Sequence, residues 1–111
     1  MAKLILVDVD IIPSPSCPNT VQVQYKFFGQ PIGGQYSIPK GPRFTFPGGG
    51  AQSMSFSTGG KLYLYFIVNN QEHFASMGNV VIPPNTTPQG QLKVYKNYTS
   101  YGLFQSRYKV V

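Results

Sequence analysis

Turn signals break this chain about every ten residues, and that spacing constrains its fold more than any other feature. Breaks fall at Pro13-Ser14-Pro15-Ser16-Cys17-Pro18-Asn19, Gly33-Gly34, Pro47-Gly48-Gly49-Gly50, Gly59-Gly60, Asn69-Asn70 and Pro83-Pro84-Asn85. Proline removes a backbone donor and glycine weakens a helix interior, so a helix of ordinary length has little room between them. The intervening stretches are short and rich in β-branched and aromatic residues, which suit a pleated, half-buried surface.

The most continuous apolar run is Lys61 to Val68, bounded by Gly59-Gly60 and Asn69-Asn70. Side chains alternate along a strand, so Leu62, Leu64, Phe66 and Val68 share one face while Tyr63, Tyr65 and Ile67 share the other. Neither face is polar. The run therefore reads as a central strand whose second face is covered by another layer or a partner chain, and Tyr63, Tyr65 and Ile67 are candidate interface residues.

Thr20 to Phe28 carries the cleanest period-two pattern, with Val21, Val23, Tyr25 and Phe27 inward and Gln22, Gln24, Lys26 and Phe28 outward. In Leu4 to Ile12 the second half alternates Val7, Val9 and Ile11 against Asp8, Asp10 and Ile12. Short extended pieces are expected at Gln35 to Ile38, Arg43 to Phe46, Gln52 to Ser57, Asn79 to Ile82 and Gln91 to Tyr95, where Leu92 and Val94 alternate with Lys93 and Tyr95. Leu103 to Val111 supplies the last strand or pair of strands. Gly29 to Gly41 otherwise reads as two turns, and Gln71 to Met77 fits a turn, a short helical piece or a strand. Thr58-Gly59-Gly60 suggests antiparallel pairing of Gln52 to Ser57 with the central strand. Ile12-Pro13, Ile38-Pro39 and Ile82-Pro83 each close an extended segment, with the isoleucine expected to reach the core.

These elements predict one all-β domain spanning residues 1–111. The expected architecture is a small antiparallel β-sandwich of seven or eight short strands, immunoglobulin-like or jelly-roll-like, with a barrel as the alternative.

The inventory for catalysis is sparse. The chain has one histidine, His73, and one glutamate, Glu72, which as neighbours on a strand would face opposite ways. Asp8 and Asp10 share a strand face, but a hard cation wants about six oxygens; the pair reads as a solvated face or as partners of a Lys or Arg. Cys17 is the single cysteine, so an internal disulfide and a cysteine metal cluster are ruled out. Neither glycine stretch is followed by the Lys-Ser/Thr and helix of a phosphate loop. We expect no enzyme activity, no cofactor and no bound metal.

Charge bears on partners. Nine Lys and Arg against three acids give +6, which suits contact with an acidic surface or nucleic acid, or serves solubility alone. Lys93, Tyr95, Lys96, Tyr98, Arg107 and Lys109 interleave cations with aromatic rings, as single-stranded nucleic-acid binders do. Charged residues nonetheless make up only 11% of the chain, and a surface with few ions to desolvate is well suited to burial against other proteins. The expectation is a structural or assembly subunit of a larger particle, foremost a virion component such as a capsid-associated, decoration or tail protein. It would act as a homo-oligomer or within a hetero-assembly. A carbohydrate- or receptor-binding module is the first alternative and a single-stranded nucleic-acid binder the second. The N-terminal apolar run is too short for a secretory signal, and no stretch approaches the roughly 18 apolar residues of a membrane helix. Synthesis in a cytoplasm and no membrane partner are expected. Asn85-Thr86-Thr87 and Asn97-Tyr98-Thr99 are read as chance matches to a glycosylation acceptor.

Overall fold

A computed structural model describes residues 2–47, 52–81, 90 and 92–111. Among them are nine strands: β1 (Ala2–Pro13), β2 (Thr20–Phe27), β3 (Gln30–Pro39), β4 (Phe44–Thr45), β5 (Ser53–Phe56), β6 (Gly60–Val68), β7 (Gln71–Val80), β8 (Lys93–Thr99) and β9 (Gly102–Val110). They form two antiparallel sheets packed face to face. Sheet A runs β4-β1-β9-β8, with β5 beside β4 along the same edge of β1, and sheet B runs β3-β2-β6-β7. Both sheets are open, so the fold is a sandwich and not a closed barrel.

The core is the facing pair of apolar stripes that the period-two pattern creates. Val21, Val23, Tyr25 and Phe27 of β2 and Leu62, Leu64, Phe66 and Val68 of β6 meet Leu4, Val9, Ile11, Phe104 and Tyr108 of sheet A. Tyr25 also crosses the layers: its hydroxyl lies 2.8 Å from Ser106 Oγ of β9, and both residues are buried. Central placement of β6, between β2 and β7, follows from its two apolar faces.

Two hairpins of sheet B turn on two residues with positive φ, Phe28-Gly29 (54° and 72°) and Asn69-Asn70 (52° and 62°). Such loops match the right-handed twist of the strands they join. Asn tolerates this conformation; a phenylalanine there is strained, and Phe28 is held by packing on Phe27 at 4.5 Å and over Gly60, where an added Cβ would come within 2.6 Å of its ring.

Each of two open seams between the sheets is bridged by a buried amide. Asn97 of β8 donates through Nδ2 to the Ser76 carbonyl of β7 at 3.0 Å. Gln52, oriented to satisfy both of its groups, donates to the Ile32 carbonyl at 3.0 Å and accepts from Gly34 N–H at 3.3 Å. The Pro13 to Asn19 loop is tied to the β8–β9 turn, where the Ser14 and Ser16 hydroxyls both donate to the Ser100 carbonyl, at 2.9 and 3.0 Å.

Several local expectations are corrected. β5 does not pair with β6: it pairs with β1 through Ala2↔Phe56 to Ile5↔Ser53, because twelve-residue β1 offers a long free edge. Gly59 lets the chain cross to sheet B beside the Val80 carbonyl, where a Cβ would sit 2.7 Å away. Gly29 to Gly41 is mostly strand, not two turns, since Gly33-Gly34 absorbs a register shift against Gln24 within β3. Strict alternation in β1 fails at Val7, where the ladder with β9 shifts between Leu6 and Asp8; a bulge puts Leu4 and Leu6, then Val9 and Ile11, on the core side. In β8 the faces are reversed: Tyr95 packs against the core and Val94 is 51% exposed, because Tyr95 stands opposite inward-facing Ser106. Ile38 reaches the core, but Ile12 is 52% exposed, lying opposite Leu103 on the outer face. Gln71 to Met77 resolves as part of β7. Gly48 to Gly50, Ile82 to Asn85, the Asn85-Thr86-Thr87 acceptor pattern and Gln91 lie outside the described residues.

Candidate protein-contact surface

Three of the four strands of sheet B form the centre of its outer face. Gln22, Gln24 and Lys26 come from β2, Tyr63, Tyr65 and Ile67 from β6, and Glu72, Phe74 and Ser76 from β7, because these residues pair across the ladders as Gln22↔Ile67, Gln24↔Tyr65, Lys26↔Tyr63, Tyr63↔Ser76, Tyr65↔Phe74 and Ile67↔Glu72. Residues directly opposite share a face. Tyr63, Tyr65 and Ile67 are thus on one surface, each half-buried.

The three rings at its centre touch one another. Centroids lie 6.5 Å apart for Tyr63 and Tyr65, 6.2 Å for Tyr63 and Phe74 and 5.8 Å for Tyr65 and Phe74, the last pair stacked. Lys26 Nζ stands 4.0 Å above the Tyr65 ring, a cation–π contact worth about 0.5–1 kcal/mol at an exposed site. Phe74 is 67% exposed, the most open of the three. Sequence reasoning missed it because Gln71 to Met77 had no assigned face. The available signal was Asn69-Asn70, since a two-residue hairpin mirrors the register of β6 onto β7 and sets Phe74 opposite Tyr65.

A dent in this surface, lined by Gln22, Gln24, Gln35, Tyr65, Ile67 and Glu72, has a volume of about 10 Å³, room for a single water molecule. A ring-centred face flanked by glutamines, one lysine and one glutamate has the composition of a protein contact, where aromatic residues are enriched and charges are few.

The basic and aromatic residues near the C-terminus are divided by the pleat. Lys96, Tyr98, Arg107 and Lys109 lie on the outer face of sheet A, while Lys93 and Tyr95 stand opposite inward-facing Tyr108 and Ser106. Tyr98 is 80% exposed. Arg107 is engaged within the fold, its Nη1 donating to Asp8 at 2.8 Å and its Nη2 lying 3.9 Å from Asp10. Those two carboxylates thus have a cationic partner instead of forming a solvated face. Asn97 of the second acceptor pattern is buried, with its amide donating to Ser76.

Glu72 and His73 face opposite ways, Glu72 opposite Ile67 on the outer face and His73 opposite Phe66 on the inner. The His73 ring stacks on Phe66 at 5.2 Å and meets Tyr101 at 5.4 Å. Cys17 is buried, and burial pushes its thiol up, with Lys40 opposing the shift; a thiol held protonated is a poor nucleophile. Among the described residues no three His, Cys, Asp or Glu side chains gather as metal ligands would. No family model, curated protein or solved structure matches this chain.

Proposed function

We propose that the chain is a non-enzymatic assembly subunit of a larger particle, a virion component being the foremost case, and that it works by protein–protein contact through the outer face of sheet B. The observation that supports this reading is the cluster of Tyr63, Tyr65 and Phe74, three mutually touching rings on a plane that neither layer of the sandwich covers. Tyrosine and phenylalanine supply large contact area at low entropic cost, and the sparse charge around them limits desolvation.

Size sets a limit on what this face does alone. Four strands about 4.8 Å apart and some eight residues long cover roughly 500 Å², less than the ~800 Å² per partner of a standard stable interface. Edges and loops must contribute as well.

Light scattering coupled to size exclusion, over micromolar to millimolar chain, tests the proposal. The expected result is a defined oligomer that Tyr65→Ser and Phe74→Ser dissociate while the β-sheet circular dichroism is retained. A monomer at every concentration, or an oligomer indifferent to both substitutions, would overturn it.

A further inference from the structure

The two edges of sheet B are treated differently. β3 is blocked: Pro31 and Pro39 lack donors, and Gln52 occupies the Ile32 carbonyl and the Gly34 N–H. β7 carries neither proline nor lysine along its length. Exposed strand edges of that kind are templates for pairing.

Hydrogen-bond alternation identifies which β7 groups are open. The Asn69-Asn70 loop joins Val68 and Gln71, and a two-residue hairpin is closed by a pair that exchanges both backbone bonds. Bonded and non-bonded pairs then alternate along an antiparallel ladder. His73↔Phe66 and Ala75↔Leu64 are bonded pairs, whereas Glu72↔Ile67, Phe74↔Tyr65 and Ser76↔Tyr63 are not. The Asn97 amide on the Ser76 carbonyl confirms the phase from the outside. Both N–H and C=O of Glu72 and of Phe74 therefore point away from β6.

Along this edge lies a groove of about 410 Å³ lined by Phe66, by residues 72–75 of β7 and by residues 98–101 at the end of β8 and its turn. Its two sides carry exposed rings, Phe74 and Tyr98, 67% and 80% open. On its inner side the buried His73 Nε2 has no hydrogen-bond partner. Two donors and two acceptors repeating every second residue match the backbone of an extended polypeptide. Residues 98–101 also line the groove, so an added strand meets the end of β8 and its turn as well as β7.

We propose that this groove binds an extended peptide segment of a partner protein, which adds to β7 as a further strand of sheet B. Its backbone pairs with Glu72 and Phe74, and one of its side chains covers the Phe74 ring. The backbone pairing rests on edge groups and not on the outer-face cluster, with which it shares only the Phe74 ring.

Hydrogen exchange on the free chain is the first test. Glu72 and Phe74 amides are expected to exchange at least 100-fold faster than those of His73 and Ala75; equal protection of all four would overturn the proposal. Random linear heptapeptides displayed on phage are then selected on the immobilised chain, and a selected peptide is synthesised. It should slow exchange at Glu72 and Phe74 at least tenfold. Glu72→Pro, which removes an N–H the fold does not use, should weaken binding tenfold or more, while Glu72→Gln leaves it within twofold. Failure to enrich any peptide, protection elsewhere in the chain, or loss of binding with Glu72→Gln alone refutes strand addition. So does a β-linked oligosaccharide that perturbs the same groove when no peptide does. Should Glu72→Pro unfold the chain, the exchange pattern of the wild-type complex decides.

Discussion

Removing the Tyr25 hydroxyl is the most direct probe of how the two sheets are held in register. It bonds Ser106 Oγ at 2.8 Å across the sandwich, and both residues are almost wholly enclosed, at 1% and 0% exposure. Tyr25→Phe leaves the serine hydroxyl buried without a partner, and Ser106→Ala does the same to the phenol; each costs about 1–3 kcal/mol, the desolvation of an unsatisfied group. The double variant removes both polar groups and costs about 0–1 kcal/mol in all, so a coupling energy of at least about 1 kcal/mol separates it from the roughly 2–6 kcal/mol sum of the singles. For a domain of this size about 4 °C of Tm accompanies each kcal/mol. The singles are then expected about 4–12 °C below the parent and the double variant within about 4 °C of it. Urea unfolding of the four chains gives the cycle. Strict additivity would show that the pair contributes no interaction and that sheet registration rests on apolar packing and the two amide bridges at the seams.

Alkaline pH tests the same tyrosine. Burial raises the Tyr25 phenol well above its ordinary value near 10 and raises that of Tyr108 as well. Above pH 10 the unfolded chain releases these protons before the folded one, so stability falls with rising pH, by up to about 1.4 kcal/mol per pH unit for each group. Tyr25→Phe should reduce that slope by about one proton between pH 10 and 11.5, read from urea midpoints. Gly102→Ala should destabilise by at least about 3 kcal/mol, because φ is +132° there and an added Cβ would overlap the Ile12 carbonyl oxygen; thermal denaturation measures it. Arg107→Ala strands the buried Asp8 carboxylate, and a loss of about 2–4 kcal/mol in chemical denaturation is expected for breaking such a pair. Asn70→Gly should gain about 0.5–1 kcal/mol, since φ at residue 70 is +62° and glycine adopts it without strain.

Much of the fold was legible because it is written in period two. Val21 to Phe27 and Leu62 to Val68 face one core without interruption, and the central position of β6 follows from Tyr63, Tyr65 and Ile67 making its second face apolar. What alternation does not encode is where it is broken. A bulge at Val7 changes which residues of β1 face the core, and the three residues Gly33, Gly34 and Gln35 set against Gln24 turned a long strand into apparent turns. Partner choice was hidden for a related reason. β5 and β6 are neighbours in sequence, yet the free edge of β1 competes for β5, and pairing across about fifty residues leaves no local trace.

The candidate surface depended on the same distinction. Tyr63 and Tyr65 could be placed from their own strand, but Phe74 acquired a face only through the Asn69-Asn70 turn, and with it the plane became a three-ring cluster and not a pair. The turn then does more. By fixing which pairs of the β6–β7 ladder are bonded, it also fixes that Glu72 and Phe74 direct their backbone groups outward, at the edge along which the groove lies. One two-residue loop thus sets both what the outer face presents and what the edge can bind. A register slip of one residue in this hairpin would bury Phe74, expose His73 and reverse the open and closed groups of β7, so any substitution at Asn69 or Asn70 that shifts the turn should abolish both proposed contacts together.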